Sequence, residues 1–305
     1  MTGPEPVLTA RDVSIEYEVD PPVKAVRNVS LTLHRGEILG LAGESGCGKT
    51  TLAYGLNRLL KAPALQTSGE ITFHDRDGHD IDIVGLRDEA LRAFRWDKIS
   101  MVFQGAMNSL NPVISVRAQI FDVFDTHRPG MGRRAKTERA EELLRLVGVD
   151  PARLTSFPHE LSGGMRQRVM IAMALALDPQ VMIMDEPTTA LDVVVQRGII
   201  REIMRLRERL GFAVVFITHD LPMLIEISDR IAVMLQGRIV EQGTAEEIYR
   251  TPQHEYTRKL LSSFPSLRGD RGGFVRSGAL RRAQGAGERA QAPRERAQEP
   301  GEEAR

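Results

Sequence analysis

Along the chain, segments in which apolar residues are spaced as in β-strands are followed by segments in which they are spaced as in helices. Residues 7–19 alternate between apolar and polar side chains, as in a strand with one exposed face, and residues 25–43 continue as strand with a turn at Arg35-Gly36. The end of that second stretch, EILGLAG, is apolar enough to be buried on both faces. From Lys49 onward, apolar residues recur at helical spacing, so this region predicts a strand, a glycine-rich loop and a helix in that order.

The same alternation continues beyond this first unit. Strands that alternate with helices predict an α/β fold with a largely parallel sheet. The predicted elements are a β-hairpin at 68–81 with its turn at Asp77-Gly78, a strand at 98–104, helices between about 113 and 177, a buried strand at 181–185, a helix at about 192–210, a strand at 213–220 and a hairpin at 231–243.

Composition narrows the class of protein. Of the 305 residues, 42% are apolar and 27% are charged, which is typical of a globular protein. The 41 basic residues balance 41 acidic ones, and this argues against a protein whose main task is to grip a nucleic-acid backbone. Cys47 is the only cysteine, so disulfides within the chain and cysteine-based metal sites are excluded, as suits a reducing cytosol. Without an apolar run of about 20 residues or a signal peptide, any role at a membrane is expected to depend on partners.

The composition changes near Arg268. From there to residue 305 the chain is rich in Gly, Ala, Gln, Arg and Glu and has almost no large apolar residues. Such a segment cannot offset its ordering entropy by burial, so we expect a disordered tail. A basic arm for lipid or nucleic acid is the alternative, but nine arginines are interleaved with six acidic residues there.

A phosphate-binding loop is the first chemical signal. The pattern G-x-x-x-x-G-K-T runs from Gly43 to Thr50 and follows a predicted strand. Lys49 would reach the β- and γ-phosphates and the Thr50 hydroxyl would bind Mg²⁺, which leaves nucleotide kinases, GTPases and many ATPases open. The backbone N–H groups expected to face the phosphates are those of Glu44, Ser45, Gly46, Cys47, Gly48, Lys49, Thr50 and Thr51.

Two further stretches extend that chemistry. VMIMDEP places Asp185 at the end of a buried strand, where a carboxylate would hold Mg²⁺, and Glu186 next to it, where it could orient or deprotonate a water. LSGGMRQR places Ser162, Gly163 and Gly164 at the start of a helix, which predicts a second anion site. One phosphate tail rarely needs two such sites, so the second is expected to close over nucleotide held by a different subunit. A simple helix cap is the alternative.

With these motifs, residues 7 to 265 resemble the ATP-binding-cassette ATPases. The resemblance adds Gln104 in MVFQ as a sensor of Mg²⁺ and of the membrane partner, Asp192 in ALD at the dimer seam, and His219 in FITHD as a contact of the γ-phosphate. It also suggests that Tyr17 stacks on adenine, with core packing as the alternative. For His219 the alternative is a structural cap.

The resemblance also implies an architecture. It predicts a P-loop NTPase (RecA-like) core with an antiparallel β subdomain and an inserted α-helical subdomain at about 105–178. The domain is expected to span 7–250, followed by a C-terminal extension at 251–267 and the tail at 268–305.

Within that family, the chain is most similar to the D-type subunit of di- and oligopeptide importers. DEPTTALDVVVQ and TPQHEYTRKLLSSFPS carry the likeness. The resemblance implies an ATPase at the cytoplasmic face of the membrane that binds ATP and Mg²⁺. Its expected partners are a second cassette (usually F-type, with a homodimer possible), two permeases and, indirectly, an extracytoplasmic solute-binding protein; no nucleic acid is expected.

The chain departs from that pattern at two places, and the first departure bears on cargo. Gly105-Ala106 replaces the usual Asp-Pro after the glutamine, which resembles members thought to import oligosaccharides. His-Glu-Tyr at 254–256 replaces the usual His-Pro-Tyr. An oligosaccharide importer is therefore the first alternative, and an ATPase of this class that acts on nucleic acid is the second.

Overall fold

The computed structural model describes residues 4–105, 109–189 and 191–263. The predicted tail at 268–305, the end of the predicted extension, Ala106 of the departure after Gln104, and Ala190 of ALD lie outside the described residues. Within the described ranges, no helix combines the length and the apolar character that crossing a membrane requires.

Within the described residues, ten strands form two sheets. A four-stranded antiparallel sheet has the order β2-β1-β4-β5, and a six-stranded sheet has the order β10-β9-β3-β8-β7-β6, in which β10 alone runs antiparallel to its neighbour. The strands are β1 (Pro6–Tyr17), β2 (Val23–His34), β3 (Ile38–Ala42), β4 (Ala64–His74), β5 (Asp80–Asp82), β6 (Ile99–Val102), β7 (Val181–Asp185), β8 (Ala213–Ile217), β9 (Arg230–Leu235) and β10 (Arg238–Thr244).

Helices occupy the segments between the strands of the larger sheet and the end of the described chain. Three of them, α3, α4 and α5, follow one another between β6 and β7, where a helical region was predicted. The helices are α1 (Lys49–Leu56), α2 (Asp88–Asp97), α3 (Val116–His127), α4 (Arg133–Leu146), α5 (Gly163–Ala174), α6 (Val193–Leu210), α7 (Leu221–Ile227), α8 (Ala245–Arg250) and α9 (Glu255–Ser262).

The central strands of the larger sheet, β3, β7 and β8, are buried on both faces. Along β7, Met182 and Met184 belong to a core that includes α5 and α6, whereas Val181 and Ile183 face a second core shared with the antiparallel sheet. Successive side chains of a strand point to opposite faces, so a strand between two cores must be apolar throughout. This explains why continuous apolar runs predicted the central strands correctly and why the α/β prediction is confirmed.

A buried polar network holds the antiparallel sheet against the larger one. Asp75, which follows β4, pairs with Lys98 (2.6 Å) and accepts a hydrogen bond from the Gln180 side chain (2.5 Å). Arg35 donates to the Gln180 side chain (2.9 Å) and to the carbonyl of Asp75 (3.0 Å). These contacts join the end of β4 to the starts of β6 and β7, at the end of the antiparallel sheet where β1 begins.

β8 is shorter than predicted. The apolar run predicted a strand to residue 220, but β8 ends at Ile217. Beyond it, the Thr218 hydroxyl accepts from the N–H of Asp220, and the Asp220 carboxylate accepts from the N–H of Met223 at the start of α7. These side chains satisfy backbone donors in a turn, so the chain leaves the sheet and His219 lies in the loop.

Candidate active site

The loop between β3 and α1 has the glycine conformations that its pattern predicts. Gly43, Gly46 and Gly48 have φ of 147°, 76° and 107°. A Cβ on Gly43 would lie 2.3 Å from the carbonyl oxygen of Met234, and one on Gly48 would lie 2.2 Å from that of Ala25. Both backbone conformation and close packing therefore require glycine at these two positions.

Lys49 opens α1 and is buried, with 7% of its surface exposed. Its ammonium group donates to the carbonyl oxygens of Gly43 (2.7 Å) and Glu44 (2.8 Å) and lies 3.6 Å from Cys47 Sγ. Cys47 is also buried. The loop thus encloses a positive charge at the start of a helix, where the helix dipole also favours an anion.

Asp185 ends β7 beside this loop and is fully buried. Its Oδ1 accepts a hydrogen bond from the Thr50 hydroxyl (3.1 Å), whereas its Oδ2 is buried with no hydrogen-bond partner among the described residues. Burial raises the pKa of Asp185, and Thr50 and Lys49 oppose this rise. An unpartnered carboxylate oxygen next to a hydroxyl is a donor set suited to a hard divalent cation, so the residues fit Mg²⁺.

Glu186 follows in a left-handed conformation, with φ of 46°. Its Oε2 accepts from Gln104 Nε2 (3.1 Å) and from the Thr189 hydroxyl (2.9 Å), and its Oε1 lies 3.3 Å from His219 Nδ1. Glu186 thus connects Gln104 and His219, two residues that the sequence singled out separately. A non-glycine residue with positive φ is uncommon and often occurs at functional positions.

A cleft of about 540 Å³ lies between the phosphate loop, Gln104 and Glu186. Sequence reasoning missed one side of this cleft, and it also missed Thr189. The predicted residues that line it are Tyr17, Ser45, Gly46, Gly48, Lys49, Thr50, Thr51, Gln104 and Glu186, and the unpredicted ones are Val23, Lys24, Ala25, Arg27, Gln236 and Gly237. The spacing of Thr189, three residues after Glu186, was the one local signal for its contact.

The turn between β9 and β10 forms part of this missed side. Gln236 and Gly237 both have positive φ, 47° and 81°. The N–H of Gly237 donates to the carbonyl of Cys47 (3.0 Å), and the N–H of Arg27 donates to the carbonyl of Gly237 (2.8 Å). The predicted hairpin exists, but its sequence carried no sign that its turn supports the phosphate loop.

Tyr17 lies at the end of β1 and is half-buried. Its hydroxyl forms a hydrogen bond with the Thr51 hydroxyl (3.1 Å) in α1, and the residue lines the cleft. The antiparallel sheet therefore contributes an aromatic side chain to the same site as the phosphate loop.

The segment 162–164 lies elsewhere. Ser162 is exposed and caps α5 by accepting a hydrogen bond from the N–H of Met165 (3.3 Å). Asp192, also exposed, caps α6 through the N–H of Val195 (2.9 Å), and a Cβ on Gly164 would lie 2.8 Å from Val195 Cγ1. The two helix starts are thus neighbours, and among the described residues that line the cleft, none belongs to either.

Comparisons with known families and structures agree with this geometry. The family model described as "ABC transporter" matches residues 26–189, and the model described as "Oligopeptide/dipeptide transporter, C-terminal region" matches residues 240–288. Among solved structures, the "Dimeric Structure of MJ0796, a Bacterial ABC Transporter Cassette" has a TM-score of 0.68 and 30% identity, covering 78% of this chain and 98% of that one. The same cassette in "a post-hydrolysis state" bound to ADP and Pi has a TM-score of 0.67.

Proteins with similar sequences are named as ATP-binding proteins of transporters. The probable peptide ABC transporter ATP-binding protein y4tR of Sinorhizobium fredii is 45% identical over 86% of this chain and 78% of its own length. The oligopeptide transport ATP-binding protein OppD of Bacillus subtilis is 42% identical over 86% of this chain and 72% of its own length. The peptidoglycan transport ATP-binding protein YejF of Agrobacterium fabrum is 45% identical over 87% of this chain, which spans 48% of that longer protein.

The phosphate loop, the carboxylates of β7 and both family matches lead to one conclusion. The expected fold, a P-loop NTPase core with an antiparallel β sheet and inserted helices, agrees with the solved cassettes. The chain belongs to the ABC transporter family, as an ATP-binding and ATP-hydrolysing cassette that carries the C-terminal region of oligopeptide and dipeptide transporters.

Proposed function

We propose that this chain hydrolyses ATP to drive an importer of peptides or related small solutes. The observation that carries the hydrolytic part is the hydrogen-bonded position of Glu186, beside the phosphate loop and between Gln104 and His219. The cargo class is supported by the C-terminal match at 240–288 and by relatives named for peptide, oligopeptide and dipeptide transport.

The nucleotide is bound by its phosphate tail and by its base. The N–H groups of residues 45–51 face the phosphates, whereas the N–H of Glu44, also expected there, donates instead to the Tyr256 hydroxyl. Lys49 reaches the β- and γ-phosphates while the carbonyls of Gly43 and Glu44 hold its ammonium group. Tyr17 packs on the adenine ring. Thr50, Asp185 and Gln104 would hold Mg²⁺, which neutralises charge on the phosphates when it is bound.

Glu186 accepts a proton from the water that attacks the γ-phosphorus, while the bond to the leaving ADP oxygen breaks. Such a base contributes on the order of 10²–10⁴-fold to the rate. The bonds from Gln104 and Thr189 support this role because they orient the carboxylate. His219 contacts the γ-phosphate from the exposed side of the cleft, where 69% of its side chain is exposed.

The site is completed by a second cassette. Ser162, Gly163 and Gly164 of one chain close over ATP held by the other, with Asp192 at the seam. The outward position of α5 supports this arrangement because the helix start lies away from its own cleft. The second cassette is an F-type subunit, or a second copy of this chain, and the pair works with two permeases and a solute-binding protein at the cytoplasmic face of the membrane.

An importer of oligosaccharides is the second candidate. Gly105 adopts φ of 68°, a conformation that aspartate tolerates less readily than glycine. Glycine at position 105 thus permits a backbone conformation that the Asp-Pro form would adopt less readily. Because Gln104 is exposed, this position is well placed to contact the permeases, so the replacement of Asp-Pro directly after it bears on the class of permease and of cargo.

Glu186→Gln tests the proposed hydrolytic role. We expect ATP binding and ATP-dependent pairing with the second cassette to persist while phosphate release falls about 100-fold or more, because the amide cannot accept the water's proton. Pairing is measured by size-exclusion chromatography with Mg-ATP, and the wild type is the control. Undiminished phosphate release would remove Glu186 from the role.

Cargo is tested in the assembled transporter. The permeases that co-purify with this chain are reconstituted with their solute-binding protein, and ATP turnover is measured with short peptides and with oligosaccharides. Stimulation by peptides is the expected result, whereas stimulation by oligosaccharides alone would favour the second candidate.

A further inference from the structure

One contact joins the C-terminal segment 251–263 to the phosphate loop. Tyr256 lies in the first turn of α9, and its hydroxyl accepts a hydrogen bond from the backbone N–H of Glu44, with an N···O distance of 3.0 Å. The two residues are 212 positions apart, so only the fold brings them together. Burial raises the pKa of the Tyr256 hydroxyl above its ordinary value, although the hydrogen bond from the Glu44 backbone opposes the rise.

The peptide unit that Tyr256 contacts is the one that Lys49 contacts from the other side. The N–H of Glu44 and the carbonyl of Gly43 belong to the same planar group and point in opposite directions. The carbonyl accepts from Lys49 Nζ (2.7 Å), while the N–H donates to Tyr256. Hydrogen bonds at the two ends of one amide polarise each other, so each strengthens the other.

Tyr256 is held by a well-anchored segment. The carboxylate of Glu241 in β10 accepts from the N–H groups of Gln253 (2.7 Å) and His254 (3.0 Å). His254 Nδ1 then caps α9 by accepting from the N–H of Tyr256 (3.1 Å). Thr257 is fully buried, and Tyr256 packs against the core together with Leu260 and Leu261. The hydroxyl is therefore presented to the loop in a fixed position.

We propose that Tyr256 is a positioning residue for the ATP site: it fixes the Gly43–Glu44 peptide that holds Lys49 and so couples the C-terminal segment to nucleotide binding. The inference rests on the proposed nucleotide site and adds to it a partner within the chain. Coupling between two sites is reciprocal, so bound nucleotide must stabilise α9 by as much as α9 strengthens nucleotide binding.

Tyr256→Phe tests the inference, because it removes the hydroxyl and keeps the packing of the ring. Losing one hydrogen bond of this kind is expected to weaken Mg-ATP binding about 3- to 10-fold, measured by titration of the full chain. Hydrogen–deuterium exchange gives the reciprocal readout. A non-hydrolysable ATP analogue should slow exchange in α9 of the wild type and slow it less in the variant.

Arg258→Gln is the matched control, since Arg258 is exposed on the same helix, and it should match the wild type in both measurements. The inference is wrong if Tyr256→Phe binds ATP as tightly as the wild type and protects α9 equally; the proposed nucleotide site then still stands. A weaker affinity together with a melting temperature far below that of the wild type would assign Tyr256 to stability and contradict the inference. A wild type that does not bind ATP would overturn both proposals.

Discussion

The molecule has two glycine-bearing helix starts that look alike in sequence and differ in structure. At α1, Lys49 is buried and Gly48 adopts a positive φ against the carbonyl of Ala25. At α5, Ser162 is exposed, Gly163 and Gly164 are half-buried, and the serine caps its own helix. The first start is enclosed by other parts of the chain, whereas the second faces outward.

The difference indicates which anion site is complete within one chain. The phosphate loop is supported by β7 through Asp185, by the β9–β10 turn through Gly237 and by α9 through Tyr256. Around Ser162 the hydrogen bonds stay within α5: the hydroxyl accepts from the N–H of Met165 and the carbonyl from the N–H of Arg166. We infer that the first start binds nucleotide alone and that the second acts when another chain supplies the nucleotide.

The largest expected effect is at the enclosed site. Lys49→Ala removes an ammonium group that lies at the start of α1 and would bind two phosphates. Charge-assisted hydrogen bonds contribute about 1.5–3 kcal/mol each, so ATP affinity of the isolated chain should fall on the order of 100-fold. Titration with Mg-ATP measures the loss. An affinity within about threefold of the wild type would contradict the inference that the start of α1 binds nucleotide without a second chain.

Substitutions of Ser162 at the start of α5 should affect ATP-dependent pairing with the second cassette and leave ATP binding by the isolated chain unchanged. Ser162→Asp and Ser162→Asn both keep a good helix cap, so they differ mainly by one negative charge. We expect the aspartate to weaken ATP-dependent pairing about 10- to 50-fold relative to the asparagine, because it would face the γ-phosphate of the partner's ATP.

The readout for this pair of variants is the dimer fraction in Mg-ATP, with ATP affinity of the isolated chain measured in parallel. That affinity should stay within about twofold of the wild type for both variants. If the aspartate weakened ATP binding by the isolated chain, Ser162 would belong to its own cleft and the contrast between the two helix starts would be lost.

A smaller effect is expected at Thr189, where a substitution tests how the Glu186 carboxylate is oriented in the enclosed site. Thr189→Val keeps the shape of the side chain and removes the 2.9 Å hydrogen bond to Glu186. Turnover by the assembled ATPase should fall about 3- to 10-fold with little change in KM for ATP, because the carboxylate loses an orienting donor. A rise in KM with unchanged kcat would instead place Thr189 in nucleotide binding.

Much of the fold could be predicted from the sequence because its signals are local. Continuous apolar runs identified β3, β7 and β8, since each lies between two cores. The end of β8 was predicted too far along the chain, because turn chemistry at Thr218 and Asp220 competes with strand formation there. The hairpin at 68–81 was found through its turn residues, Asp77-Gly78, where Gly78 has a positive φ.

The sequence by itself determined the phosphate loop and the carboxylates next to it, because glycine spacing, a strand end and a helix start act over a few residues. Only the tertiary structure decided which distant groups meet there: Gln104 and His219 at Glu186, the β9–β10 turn under Cys47, and Tyr256 at Glu44. The reason is physical. Backbone conformation depends on near neighbours along the chain, whereas these contacts depend on the order in which strands join the sheet and on where the segments after them pack.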